Sequence, residues 1–511
     1  MDTWNAGYVA DIGYTYGYYN ELNPLRIKLA FLNAGMAAPA LGHACELGYG
    51  QGVSVNMHAA ASQTSWHGTD FNPAQAGFAQ DLASASGAGA RLVDDDFKAF
   101  CSRADLPDFD TISLHGIWSW ISDDNRHTIV DFVRRKLKVG GVLYISYNTM
   151  PGWAQFAPLR NLMTQHAEVL ACSGHGVVSR IDGAIEFAEK LVATKPGFIQ
   201  ANPLVAERLK QIKGQNRSYL AHEYFNRDWH PMHFASMAEW LAPAKLSYAC
   251  SANYLDNVDA LNLTPEQQAL LNGLPDATFR ESTRDFMTNQ QFRRDYWVRG
   301  ARQLSALEKS EALRAHQVVL VAHRPDVKLE ATGALGMANL QEAVYAPVLD
   351  LLADHKPRTL GQIEQAIISF DMNMAKLVQA VTVLTGIGHL VAVQDEATTA
   401  KVKKQCDKLN QRLANKARSD GEVGYRASPV IGGGIPVSRF DQLFLMALSH
   451  GKKQPAEWAQ FVWQILAAQS QQIVKDGKAL ATPEDNLAEL TTQALEFAQK
   501  RLPILKALQA T

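Results

Sequence analysis

Nine residues, Ala44-Cys45-Glu46-Leu47-Gly48-Tyr49-Gly50-Gln51-Gly52, constrain this chain more than any other segment. A short apolar run closes on an acid, and three glycines follow at alternate positions before helix-forming residues begin. Glycine lets a backbone turn through positive φ and approach a ligand with no Cβ in the way. Roughly 20 residues further on, the distance of one strand–helix unit, Thr69-Asp70-Phe71-Asn72-Pro73 places a second acid after a second apolar run. Acids at successive strand ends, with a glycine turn between the first strand and its helix, describe a nucleoside-binding crevice at the carboxyl ends of parallel strands.

The pattern around this turn predicts strands over 43–47, 65–68, 90–93, 111–114 and 142–147, alternating with helices. That alternation implies an α/β chain with a doubly wound, Rossmann-like sheet. Apolar runs over 246–251 and 317–322 complete seven strands in this reading, with helical insertions near 155–225 and 255–315. The chain then divides into a cofactor-covering segment over 1–30, a catalytic domain over 31–325, a winged-helix-like module over 326–400 and a helical region over 401–511. The tyrosine-rich start leads into Asn23-Pro24, where Pro24 suits the first turn of a helix.

A length of 511 residues exceeds one ordinary core, so several domains are expected. Lys and Arg total 49 against 51 Asp and Glu, a formal charge of −2 that argues against a broad nucleic-acid surface. The five cysteines form no CxxC pair, so neither a zinc site nor a disulfide framework is indicated. No secretory pattern and no apolar run of about 18 residues occurs, which predicts a cytoplasmic protein without membrane insertion. The dispersed set His222, Glu223, His230 and His233 lacks the spacing of a metal site. Gly432-Gly433-Gly434 lacks the lysine of a phosphate loop and reads as a flexible turn, with Ser438 and Asp441 capping the next helix. The third helix of the winged-helix-like module has Lys376 as its one cation, which favours protein contact over DNA.

Each strand end has a chemical role in this reading. S-adenosylmethionine (AdoMet) has no pyrophosphate, so Glu46, Gly48, Tyr49, Gly50, Gln51 and Gly52 would pack on its methionine and ribose. Asp70, with Phe71 and Asn72, would accept from the ribose hydroxyls. Asp95 or Asp96 would accept from the adenine amino group, with Phe97 over the ring. His115 follows the fourth strand, as a cofactor contact or a base. NAD competes as cofactor, but an acid precedes the glycines and no dehydrogenase set is visible. Tyr14, Tyr18, Tyr19, Trp118 and Tyr147 are aromatic candidates for lining the reacting centre, and Asn148 with Pro151-Gly152 for shaping the acceptor pocket.

Segments 13–24, 45–52, 68–73, 110–121 and 144–152 resemble bacterial class I methyltransferases that carry a methyltransferase regulatory domain. These include protein-lysine methyltransferases that modify rickettsial outer-membrane proteins. The resemblance covers about residues 8–325. Segments 222–226 and 281–300 are similar to the family's regulatory segment, and Tyr49 stands where many relatives have cysteine. The resemblance implies a class I fold, AdoMet dependence and the occurrence of homodimers. Two insertions and a long C-terminal region provide surface for a protein substrate, methylated at lysine. A small-molecule methyltransferase with a lid and a non-catalytic AdoMet-binding or interaction protein are the rival readings.

Overall fold

The computed structural model describes residues 15–170, 176–368 and 372–511. Tyr14 lies outside the described residues. Five strands, β1 (His43–Leu47), β2 (Ser65–Thr69), β3 (Arg91–Val93), β4 (Phe109–Leu114) and β5 (Leu137–Asn148), run parallel in one sheet. Two more, β6 (Leu246–Ser251) and β7 (Phe292–Arg299), complete the order β3-β2-β1-β4-β5-β7-β6. Strand β7 is antiparallel to both neighbours. Helices cover both faces, so the central strands are apolar along their length rather than alternating; all six residues of β4 are buried.

Helix α1 (Pro24–Asn33) begins with Pro24, and the Asn23 side chain accepts from the Leu25 N–H. Helix α2 (Val53–Ala61) follows β1 through the glycine turn, and α3 (Pro73–Ser86) follows β2. Helices α4 (Phe97–Cys101) and α5 (Asp123–Lys136) complete the parallel half.

One expected strand belongs elsewhere. The apolar run near 317–322 forms β8 (Gln317–Leu320), which pairs antiparallel with Arg358–Thr359 and Leu390–Ala392 in a separate three-stranded sheet. The sheet's own antiparallel strand is β7, whose Phe292-Arg293-Arg294-Asp295 start looks polar. Its charges are paired: Arg293, in the interior, with Asp285 and Asp295, and the partly exposed Arg294 with buried Glu21. Hydrophobicity alone therefore favoured the wrong run. The second insertion is consequently interrupted by a sheet strand.

The insertion after β5 has its own apolar cluster, including Trp153, Phe156, Ile181, Leu209 and Leu220. It consists of Ala157–Val169, Val177–Ala193, Leu204–Lys213 and Arg217–Tyr224 with short links. Towards the C-terminus, the helix Glu396–Ala417 lies on α2 and α3, with Cys406, Leu409 and Leu413 packed against Val53, Met57 and Leu82. The helical region expected over 401–511 contains a hairpin, Tyr425–Ser428 with Gly433–Pro436. Gly433 and Gly434 are strand residues under tight packing, correcting the flexible-turn reading. A Cβ on Gly433 would sit 2.4 Å from the Tyr18 hydroxyl, and one on Gly434 2.9 Å from the Tyr18 ring. Ser438 does cap the following helix, accepting from the Asp441 N–H.

The segment over 15–23 is a strap fixed at both sides. The Tyr19 N–H donates to Ser54 Oγ at 3.2 Å, and the Tyr19 carbonyl meets His58 Nε2 at 3.1 Å, both on α2. Asn23 Nδ2 donates to the Ile431 carbonyl at 3.0 Å beside the C-terminal hairpin.

Candidate active site

The glycine turn is held by the strand ends around it. Gly48, Gly50 and Gly52 have φ of +74°, +58° and +69°, which residues with a Cβ rarely adopt. At two of them space forbids a side chain as well: a Cβ at Gly48 would lie 2.4 Å from Ile117 Cδ1, and one at Gly52 2.4 Å from Ala79 Cβ. The Gly48 N–H donates to the Thr69 carbonyl at 2.8 Å, and the Asp70 N–H to the Val93 carbonyl at 3.1 Å. Asp70 itself accepts from the Gly50 N–H at 2.8 Å and the Asn72 N–H at 3.1 Å.

Two carboxyls lie buried at this crevice. Glu46 is 1% exposed, and its Oε2 has no hydrogen-bond partner among the described residues. Burial, with the Asp70 charge adding to it, pushes Glu46 up to about 8. Burial likewise raises Asp70 to about 6, against the two backbone hydrogen bonds. This donor set tests the cofactor. A buried carboxyl with a spare oxygen suits a cation, and AdoMet carries an ammonium and a sulfonium. A dinucleotide's pyrophosphate offers the Glu46 carboxyl no cation, so the crevice fits AdoMet better than NAD. Asp70 suits ribose hydroxyls, which donate.

Other residues of the predicted set serve the scaffold. Tyr49 is buried and donates to the Val93 carbonyl at 2.7 Å. Gln51 sits half-buried in the turn, and Phe71 follows Asp70 half-buried. Asn72 caps α3, its Oδ1 accepting from Ala74 N at 3.0 Å. Asp96 caps α4, accepting from Ala99 N at 2.7 Å, and Phe97 opens that helix. Asp95 pairs with Arg103 at 3.2 Å, and its carbonyl accepts from the Thr69 hydroxyl.

His115 joins the crevice to the strap. Its ring stacks on Tyr19 with centroids 3.6 Å apart, and Nδ1 shares a 2.8 Å hydrogen bond with the Tyr144 hydroxyl. Burial lowers its pKa to about 4, so the imidazole is neutral near pH 7. Behind it, Arg294 binds the Glu21 carboxylate, and the Tyr296 hydroxyl donates to the Glu21 carbonyl at 2.6 Å. Burial would raise the Glu21 carboxyl, but Arg26 and Arg294 outweigh it and hold it low. Tyr18 packs on His58 and Tyr425 and anchors the strap.

Trp118 and Tyr147 are corrections. Trp118 is fully buried beneath Trp240, its Nε1 donating to Met232 Sδ at 3.3 Å. Tyr147 is 1% exposed and donates to Asp295 at 2.9 Å. Side chains alternate along β5, so Tyr144 shares the face of His115 and Tyr147 takes the opposite one. Strand parity could have selected Tyr144. Glu21 and Arg294 are brought together only by the fold, 273 positions apart.

Beside His115 opens a cavity of about 650 Å3, lined by Asn148, Gly152, Trp153, Phe156 and Glu223 among others. The helical insertion supplies much of its wall. On the strap side, His115 and Phe292 also line a cavity of about 580 Å3 with Tyr19, Glu21 and Arg294. Among the described residues no three metal-ligating side chains cluster, and Glu223 faces the first cavity.

Residues 216–299 match the family model of a predicted methyltransferase regulatory domain. The chain is 40% identical to the uncharacterised protein sll1526 of Synechocystis over 511 residues, covering 99% of each chain. It is 30% identical to the uncharacterised protein RP028 of Rickettsia prowazekii over 199 residues, 37% of this chain and 76% of that protein. Among solved structures, PKMT2 from Rickettsia typhi in complex with AdoHcy superposes with a TM-score of 0.70 at 15% identity, covering 97% of this chain and 100% of that one. That likeness shows the fold, a seven-stranded class I methyltransferase sheet with helical additions.

Proposed function

Because this chain belongs to one family with the Synechocystis protein sll1526 and has a class I methyltransferase fold, we propose that it is an AdoMet-dependent methyltransferase acting on protein lysine amines. The observation that carries this reading is the buried pair Glu46 and Asp70 flanking the glycine turn at adjacent parallel strand ends. Bound there, AdoMet supplies an electrophilic methyl group on a sulfonium. The AdoHcy in the PKMT2 structure supports the same cofactor class. Asp70 orients the ribose, Glu46 balances positive charge, and Tyr19 with His115 forms an aromatic wall. Cation–π attraction to such a wall is worth roughly 0.5–2 kcal/mol.

The acceptor enters through the 650 Å3 cavity. An amine must be neutral to attack, while lysine holds its proton up to about 10.4 in water. A His115 imidazole held near 4 is too weak a base to remove that proton, so its role is contact and positioning. Glu223, raised by burial to about 7, is the better matched acceptor for an ammonium proton. The aromatic wall attracts cations: Trp153 and Phe156 hold the Arg208 guanidinium 4.0 and 4.9 Å from their ring centroids, and Trp120 completes the wall.

Transfer of labelled methyl from AdoMet to a lysate, split into protein and metabolite fractions, tests this reading. Label on protein, recovered as methyl-lysine after hydrolysis, is expected. Label confined to metabolites would replace the acceptor assignment, and AdoMet binding without transfer would leave a non-catalytic binder. Glu223→Gln should raise KM for the amine acceptor about 10-fold or more, the scale of one lost charge-assisted hydrogen bond, with AdoMet affinity unchanged. An unchanged KM would remove Glu223 from acceptor binding.

A further inference from the structure

A different cavity, about 720 Å3, lies at the β6 edge of the sheet, between β6, β7, the helix Ala277–Met287 and the end of α1. Much of its lining falls within residues 216–299, the segment matched by the regulatory-domain family model. Among its lining residues are five carboxylates and two guanidiniums, with no lysine or histidine.

The two guanidiniums are already engaged. Arg284 pairs with Asp259 at 2.6 Å and Glu281 at 3.3 Å. Arg293 reaches Asp285 at 2.5 Å, Asp295 at 2.9 Å and Glu281 at 3.0 Å. Negative charge is left over. Asp285 is 2% exposed, and its Oδ2 has no hydrogen-bond partner among the described residues. Asp256 is held by neutral donors, Ser251 Oγ at 2.9 Å and Asn253 Nδ2 at 2.7 Å. Buried carboxylates without full compensation are costly, and they either take up protons or recruit a cation. Burial accordingly holds the Asp285 pKa up at about 7 despite Arg293.

The chemistry of the lining selects the class of cation. No three-ligand metal cluster occurs among the described residues. The volume lies in the range of small-molecule sites, about 300–1,000 Å3, far beyond a bare ion. We propose that this cavity in the regulatory segment is a binding site for a small organic cation carrying ammonium or guanidinium groups, with Asp285 and Glu281 as its principal anchors. It is separate from the Glu46–Asp70 crevice and does not depend on the activity assigned there.

Spermidine titrated calorimetrically into the full-length protein at fixed ionic strength tests the proposal, with 1,8-octanediol as neutral probe. Saturable spermidine binding is expected, at least 10-fold weaker in both Asp285→Asn and Glu281→Gln, with no heat from the diol. Thermal unfolding shows whether each variant is folded. Glu281, whose side chain is 15% exposed, keeps the test decisive should Asp285→Asn fail to fold. Absence of saturable binding, equal binding of the diol, unchanged affinity in a folded variant, or displacement of spermidine by MgCl2 at matched ionic strength would each overturn it.

Discussion

At the scale of single residues, the crevice rests on two carboxyls with different duties. Asp70 is expected to accept from the ribose while it holds the Gly50 N–H. Replacing it by Asn removes a charged acceptor, a loss of about 1.5–3 kcal/mol. AdoMet affinity should fall about 10- to 100-fold by titration calorimetry, and unaltered affinity would move the ribose elsewhere. Glu46 predicts a pH signature. It titrates at about 8 in the folded chain and at about 4.3 when exposed. Between those values the folded state holds more protons than the unfolded one, so stability falls as pH rises. The contribution is complete below about 4.3 and is lost through about 8. Glu46→Gln cannot ionise, so its Tm relative to wild type should climb from pH 5 to pH 8; a constant difference would contradict the burial argument.

At the scale of elements, β7 and the strap carry the less visible half of the design. Arg293 is buried among Asp285, Asp295 and Glu281. Arg293→Met should cost about 3–5 kcal/mol, because it leaves buried carboxylates uncompensated, and denaturant unfolding measures it. The strap is wedged against the C-terminal hairpin, so Gly434→Ala drives a methyl into Tyr18 and Met57 Sδ, 2.9 and 2.6 Å away. Overpacking of this kind costs about 1–3 kcal/mol and should expose residues 15–23 to limited proteolysis. Strands β1 to β6 and the crevice acids were legible in the sequence, because glycine spacing and apolar runs reflect local chemistry. Strand β7 was not, since its charges are neutralised by Glu21 and Asp285, residues that sequence proximity does not associate with it. Trp118 and Tyr147 were misassigned because an aromatic just after a strand, or on its hidden face, looks like a site residue without the sheet's parity.

At the scale of the whole molecule, the proposed cofactor crevice lies at the strand ends of the parallel half of the sheet, and the helical additions surround it. The insertion after β5 walls the 650 Å3 cavity, the proposed acceptor site, with Trp153, Phe156 and Glu223. The C-terminal helix Glu396–Ala417 braces α2 and α3, the two helices that follow the crevice acids. One measurement probes the central claim directly: a crystal structure of the protein grown with AdoHcy. The account predicts density for the nucleoside beside the 48–52 turn, with the ribose hydroxyls on Asp70 and the amino-acid end towards Glu46. AdoHcy bound elsewhere, or a turn closed by protein side chains with no nucleoside beside Asp70, would contradict it.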